Sequence, residues 1–136
     1  MHPKALIFTF IEEAFNNGNL SILDDIIHPD YHFSSPDSQI TGIGQLNEFI
    51  QSFRAAFPDL RIHIDDIFAS DDRTCTSFTL TGTHKGDFMG IPPTKKTVAV
   101  RGMVISKFQD NKISEEWEIL DNLGFFQQLG VAPGLS

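Results

Sequence analysis

Cysteine and basic residues are both scarce in this chain. The single cysteine, Cys75, has no partner for an intrachain disulfide and cannot form a thiolate metal cluster, which fits a reducing, cytoplasmic location. Ten Lys and Arg residues stand against eighteen Asp and Glu, and the longest basic run is Lys95-Lys96, which argues against a nucleic-acid partner. No apolar run approaches a membrane span, and the N-terminus lacks the features of a signal peptide. We therefore expect a soluble protein with no membrane partner.

Phenylalanine, by contrast, is abundant. The 136 residues include thirteen Phe, and 40% of the chain is hydrophobic. This length is typical of one domain, here residues 1–136, and is enough to bury a sizeable core. The aromatic content suits an apolar cavity, although ordinary core packing is the commoner use of Phe. Composition alone therefore predicts one domain and leaves the presence of a ligand open.

The first part of the chain has mainly helical patterns. Apolar residues recur at intervals of three and four, and each segment ends at a glycine or proline signal. The predicted helices run from Lys4 to Phe15, from Asn19 or Ser21 to the residue before His28-Pro29, and from Thr41-Gly42 to Pro58. Between the second and third helices, the aromatic content of Asp30 to Ser34 predicts a short strand, followed by a turn or loop at 35–38.

The rest of the chain has mainly strand patterns. Four long strands are predicted at 61–69, 74–84, 97–108 and 113–120, with hairpin turns at 70–72 and 110–111 and a loop at 85–95. Helices followed by a meander predict an α+β domain, in which N-terminal helices cover one face of a strongly curved, mostly antiparallel sheet and leave a cone-shaped cavity. Apolar residues on both strand faces predict a homodimer through the exposed face: Val98, Val100, Ile105 and Ile113.

Asp121 stands where the last strand leads into a final helix. It shares the two-residue period of Trp117, and the apolar spacing becomes helical from Leu123 onward. Aspartate is a preferred helix N-cap. A carboxylate walled by Trp117 and Phe side chains would instead have a raised pKa, suited to general acid and base chemistry. The residues alone leave both roles open.

The same stretch resembles a known family. The motifs that carry the resemblance are Lys112-Ile113, Trp117, Asp121, Gly124 and Gln128-Leu129-Gly130, with Gly82 to Thr94, Phe57-Pro58-Asp59 and His28-Pro29-Asp30-Tyr31 upstream. This pattern is similar to that of the SnoaL-like ester and polyketide cyclases, which belong to the nuclear transport factor 2-like, or cystatin-like, superfamily. The resemblance covers nearly the whole chain and implies the same cone-shaped fold.

This resemblance implies a reaction. In these cyclases an Asp matching Asp121 moves a proton at a carbon next to a carbonyl during an intramolecular aldol ring closure, without metal or cofactor. It implies a cofactor-free cyclase or isomerase-type enzyme acting on a small, largely apolar, polyketide-like carbonyl compound. One departure concerns the strand matching Val98 to Phe108, because the family carries polar pocket residues where this chain has Gly102 and Val104. That departure favours a smaller or more apolar ligand.

Two alternatives to an enzyme remain open from the sequence. One is a non-catalytic small-molecule-binding module of the same fold, and the other is a dimeric scaffold protein. Either way, the predicted pocket residues are His32, Phe53, Phe78, His84, Met89, Val104 and Trp117. No metal site is expected, because Pro29 interrupts the helical spacing that His28 and His32 would need to bind one ion together.

Overall fold

The computed structural model describes residues 2–131, and the N-terminal part of the fold is largely helical. The helices are α1 (Pro3–Thr9), which continues as a π-helix over Phe10–Asn16, a 3-10 turn (Leu20–Ile22), α2 (Leu23–Ile26), α3 (Gly42–Ala56) and α4 (Asn122–Leu129). Pro3 occupies the first turn of α1, where its missing N–H is not needed. At the start of α3, the Gln45 side chain accepts a hydrogen bond from the Thr41 N–H at 2.8 Å. The predicted helices are confirmed, with small shifts at their ends.

The strands form one curved, mostly antiparallel sheet, as predicted, but residues 2–131 contain six strands rather than the predicted five. They are β1 (Ile27–Ser35), β2 (Ser38–Thr41), β3 (Arg61–Ser70), β4 (Arg73–Thr83), β5 (Thr97–Gln109) and β6 (Lys112–Leu120). Their order across the sheet is β2-β1-β6-β5-β4-β3, and β1 pairs with β6 in parallel. Asp110 and Asn111 have φ of 54° and 61°, the left-handed conformation that a tight β5–β6 hairpin requires.

The edge of the sheet at β1 and β2 differs from the prediction. Ser38–Thr41 pairs with His32–Ser35 as a sixth strand, because a tight turn at Pro36 and Asp37 folds the chain back. Strand β1 also begins at Ile27, so Pro29 lies within a strand. Proline is tolerated there because the register of β1 on β6 shifts between Ile27 and His32.

The helices bury the concave face of the sheet. Ile7, Leu46 and Ile50 of the helical layer join Tyr31 and Ile113 of the sheet in one buried cluster. A second cluster lies at the C-terminal end of α3 and includes Phe53, Phe57, Leu80, Val100 and Phe125. Side chains of both clusters line the cavity of the fold. No helix within residues 2–131 has the length and apolar content needed to cross a membrane.

Candidate functional site

A β-bulge in β6 decides which side chains face the cavity. Lys107 pairs with Glu115, but the adjacent Phe108 pairs with Ile113, so Ser114 is an extra residue in β6. An extra residue reverses the alternation of all side chains that follow it. Glu116 is therefore buried, whereas Trp117 is 49% exposed on the opposite face.

Glu116 lies at the centre of a buried hydrogen-bond network. Its Oε1 accepts a bond from the Tyr31 hydroxyl at 2.8 Å, and its Oε2 accepts one from Ser106 Oγ at 2.6 Å. Burial raises the pKa of Glu116, and these two hydrogen bonds oppose that rise only in part. Burial and the nearby Glu116 carboxyl also raise the pKa of Tyr31 well above its usual value. The network holds the Glu116 side chain in one position.

Glu118 faces the same way as Glu116 but is held differently. Within residues 2–131, no group donates a hydrogen bond to its carboxyl group. Burial, followed by the charges of Glu116 and Asp37, raises the pKa of Glu118 to about 8. A carboxyl group with this pKa exchanges protons near neutral pH, which is the property required of a general acid or base.

The cavity beside these carboxyl groups has a small inner chamber of about 90 Å³. Apolar side chains of the helical layer and the sheet form most of its wall, and its titratable lining residues are Tyr31, Glu116 and Glu118. A chamber with this lining suits a compact apolar group that places a reacting carbon beside a carboxyl group.

A larger outer chamber of about 360 Å³ adjoins the inner one. It is bordered by the β1–β2 turn, α3, α4 and the loop that carries Asp87, Phe88 and Met89. Asn122 donates a hydrogen bond to Asp37 at 3.1 Å and so joins α4 to the β1–β2 turn. The residues that line both chambers are Phe33, Ile40, Phe49, Phe53, Glu118 and Leu120, so Glu118 lies where the chambers meet.

Comparison with known proteins places this architecture in a family. The family model described as SnoaL-like polyketide cyclase matches residues 5–129. The chain belongs to this family. It is 28% identical over 120 residues to the nogalonic acid methyl ester cyclase of Streptomyces nogalater, covering 86% of this chain and 90% of that protein.

Solved structures agree with this assignment to the SnoaL-like family. IdmH from Streptomyces antibioticus is 32% identical with a TM-score of 0.82, over 96% of this chain and all of that one. TsrD from Streptomyces laurentii is 27% identical with a TM-score of 0.86, over 94% of each chain. Membership of the SnoaL-like family supports a function of the cyclase or isomerase type.

Four residues predicted for the SnoaL-like pocket do line the chambers. Phe53, Phe78 and Val104 line the inner chamber, and Met89 lines the outer one, where Phe53 also contributes.

Phe78 lies against Gly102, the position at which the family carries a polar side chain. A Cβ at Gly102 would lie 2.5 Å from Phe78 Cζ, so this apolar ring occupies the space.

Trp117 and Asp121 lie elsewhere than predicted. Trp117 faces away from the cavity, because the bulge at Ser114 reverses the expected alternation. Asp121 is exposed, and its Oδ1 accepts a hydrogen bond from the Gly124 N–H at 2.9 Å, which is a helix N-cap. The expectation that Trp117 and Phe side chains enclose Asp121 is therefore wrong, whereas its acid/base role stays a prediction.

The two predicted pocket histidines also lie outside the chamber walls. His32 faces away from the cavity, opposite to its buried neighbours Tyr31 and Phe33. His84 is fully buried, and its Nδ1 accepts a hydrogen bond from the Thr94 N–H at 3.1 Å. Its ring stacks on Phe57 with centroids 5.4 Å apart, so His84 packs in the core.

Sequence reasoning missed the three titratable residues of the inner chamber. The run Ser114-Glu115-Glu116-Trp117-Glu118 has acidic residues on both strand faces, and only the bulge determines which of them are buried. Tyr31, the single tyrosine, lies in the short strand predicted at Asp30 to Ser34, but that prediction does not identify its partner. Its partnership with Glu116 joins parts of the chain that are 85 residues apart. Among the described residues, no three His, Cys, Asp or Glu side chains are grouped to hold a metal ion.

Proposed function

We propose that this protein is a cofactor-free cyclase or isomerase that moves a proton at a carbon next to a carbonyl, with Glu118 as the acid/base group. The observation that carries the proposal is the position of Glu118 where the two chambers meet, with its pKa raised to about 8. Such a pKa lets one side chain accept and return a proton near neutral pH. The substrate is a small, largely apolar carbonyl compound, polyketide-like in structure.

The proposed reaction moves one proton and forms one carbon–carbon bond. The Glu118 carboxylate removes a proton from a carbon beside a carbonyl, and the resulting enolate carbon attacks a second carbonyl of the same molecule. The alkoxide formed there then takes the proton back from Glu118, so no oxidant or reductant is needed. The name of the Streptomyces nogalater relative, an ester cyclase, supports ring closure on a carbonyl compound.

Glu116 has a different role in this proposal. Both of its carboxylate oxygens already accept hydrogen bonds, from Tyr31 and Ser106. Glu116 raises the pKa of Glu118 through its charge, while the network fixes where that charge lies. Glu116 is thus a positioning residue, and Glu118 is the group free to contact the substrate.

Proton exchange on benzylacetone, a small apolar ketone, tests the proposal. The wild-type protein is expected to speed the exchange of its carbonyl-adjacent protons for deuterium, measured by proton NMR in D₂O. Glu118→Gln removes the titratable group at nearly constant volume and should slow the catalysed exchange by roughly 100-fold or more. The wild-type rate should rise with pH and level off above about 8, because the ionised form of Glu118 is the base.

Asp121→Asn is the matched comparison, because the family resemblance matches Asp121 to an acid/base Asp. Asparagine caps helices about as well as aspartate, so the variant keeps the α4 N-cap. Under the proposal it retains the wild-type exchange rate. Loss of exchange in Asp121→Asn but not in Glu118→Gln would transfer the acid/base role to Asp121. If the wild-type protein bound the ketone without exchange, a non-catalytic binding module would be the better description.

A further inference from the structure

The outer chamber combines aromatic rings with negative charge. Its titratable lining groups, taken over residues 2–131, are Asp37, Asp87 and Glu118, and its described lining includes no Lys, Arg or His. Six phenylalanines also line it: Phe33, Phe49, Phe53, Phe88, Phe125 and Phe126. An uncharged apolar ligand would use the rings but would leave the carboxyl groups without a partner.

The rings are held at different angles to one another. Phe88 stacks on Phe125 with centroids 5.1 Å apart and ring planes 18° apart. Phe53 meets Phe88 edge to face, with centroids 5.4 Å apart and planes at 73°. The face of an aromatic ring carries negative charge density and attracts a cation within about 6 Å of the ring centre. Chamber-lining rings in several orientations can therefore offer a cation ring faces from more than one direction.

Few groups within residues 2–131 donate hydrogen bonds to the acidic side chains of the outer chamber. Asp87 accepts one from the Gly90 N–H at 3.3 Å. Asp37 accepts hydrogen bonds from Asn122 at 3.1 Å and from the Ser35 hydroxyl at 3.5 Å. Glu118 receives none from residues 2–131. An ionised carboxylate can only accept hydrogen bonds and therefore favours a ligand with N–H donors or positive charge. Glu118, with its pKa raised to about 8, becomes such an acceptor when a positive charge beside it favours its ionised form.

We propose that the outer chamber binds the ammonium group of an organic amine, whose apolar part extends into the inner chamber. An organic cation such as ammonium gains from ring faces and from carboxylates together. An anionic group in the same place would meet three acidic side chains and, among the described lining residues, no cation. This ammonium site rests on the proposed function for its reaction, and it adds to that function a charged group on the substrate.

Three probes of nearly equal shape test this inference: phenethylamine, phenethyl alcohol and phenylacetate. They are cationic, neutral and anionic at pH 7, and their affinities are measured by isothermal titration calorimetry. We expect the amine to bind at least tenfold more tightly than the alcohol, and the carboxylate to bind more weakly than either. Equal affinities, a preference for phenylacetate, or no binding by any probe would overturn the inference.

Three variants locate the source of the preference. Glu118→Gln and Asp37→Asn each remove one acidic group at the chamber and should lower the ratio of amine to alcohol affinity several-fold. Asp71→Asn removes the same charge from the exposed β3–β4 turn, where φ is 54° and asparagine is tolerated, and should leave the ratio unchanged. An equal fall of the ratio in all three variants would show a non-specific charge effect and overturn the inference.

Proton release gives a second readout of amine binding. The titratable groups around Glu118 are Glu116 on its own strand, Tyr31 on β1 and Asp37 in the β1–β2 turn, and none of them is cationic. A bound ammonium would favour the ionised form of Glu118, so amine binding at pH 7 should release up to about one proton, seen as different binding heats in phosphate and Tris buffers. Phenethyl alcohol should release none. Amine binding without proton release in the wild-type protein would contradict the proposed position of the ammonium group.

These measurements are independent of turnover. Selective amine binding without proton exchange on benzylacetone would leave the ammonium site standing and refute the proposed reaction. Proton exchange on benzylacetone without amine selectivity would leave the proposed reaction standing and refute the ammonium site.

Discussion

The pKa of Glu118 follows from where its carboxyl group lies. Burial, and then the charges of Glu116 and Asp37, raise it from an ordinary 4.5 to about 8. Between these two pH values the folded protein binds the Glu118 proton, whereas the unfolded chain releases it. Raising the pH through this window therefore lowers the free energy of unfolding. Once the pH has passed through the whole window, the loss is about 1.4 kcal/mol for each pKa unit between the folded and the unfolded state.

Glu118→Gln should remove most of this pH dependence. The wild-type free energy of unfolding is expected to fall as pH rises from about 4.5 to about 8, and the variant should show a shallower fall, to which Glu116 still contributes. Urea denaturation at a series of pH values measures both slopes. Glu48→Gln, at an exposed position on α3, is the control and should follow the wild type. Equal slopes in wild type and Glu118→Gln would show that the folded-state pKa of Glu118 is ordinary.

At the scale of the element, β6 shows how a correct strand prediction can place its side chains on the wrong faces. The alternation of Ile113 to Leu120 predicts the strand, and the structure confirms it. Which face of the sheet each side chain of β6 takes depends on the bulge at Ser114. This bulge arises from pairing with β5, and no residue in the sequence marks it. Strict alternation therefore places Trp117 inside and Glu118 outside, the reverse of the fold.

The joint between the N-terminal helices and β3 depends on Asn16. Its side chain accepts a hydrogen bond from the Ile62 N–H at 2.6 Å and donates one to the Ile62 carbonyl at 3.0 Å, so it pairs with the strand as another backbone would. Asn16→Ala leaves both partly buried backbone groups without this partner and should lower the free energy of unfolding by about 1–3 kcal/mol. Chemical denaturation measures the change.

Asn17→Ala is the matched control for this joint. The Asn17 side chain is exposed and donates one hydrogen bond, at 3.3 Å, to Glu13 within the same helical segment. Its removal should change stability by less than about 0.5 kcal/mol. Similar losses in both variants would mean that helix propensity, rather than the contact with β3, accounts for the effect.

At the scale of the molecule, the convex face of the sheet carries an apolar row among polar and charged side chains. Four residues lie in register across β3, β4, β5 and β6, namely Phe68, Cys75, Ile105 and Trp117. Met103 and Ile119 lie beside this row and are 52% and 47% exposed. Of the residues from which the homodimer was predicted, Ile105 lies on this face, whereas Val98, Val100 and Ile113 are buried. Homodimerisation stays a prediction, and this apolar row is the surface proposed for it.

Ile105→Lys places a charge in the middle of this row and should convert a dimer to a monomer. Sedimentation velocity at micromolar concentration is the measurement, with a dimer expected for the wild-type protein. Phe8→Lys is the control, because Phe8 is also exposed, at 49%, but lies on α1 in the helical layer. A wild-type protein that is only monomeric at this concentration would refute the prediction.

Local signals in the sequence were sufficient to predict most of the secondary structure. Apolar spacing, proline positions and the Asp110-Asn111 turn act within a few residues of the chain, so the long strands and helix α3 could be predicted from them. The helix cap at Asp121 is local in the same way, because Asp121 and Gly124 are three residues apart.

The composition of the candidate site was decided only by the tertiary structure. Glu116 is buried because β6 pairs with β5 through a bulge, and it is held by Tyr31 from a strand 85 residues away in sequence. Strand β2 likewise exists because residues 38–41 find a partner in β1. The proton affinity of Glu118 depends on desolvation and on neighbours brought together by folding. Side-chain spacing along the chain contains none of this information, because register and burial arise between distant segments.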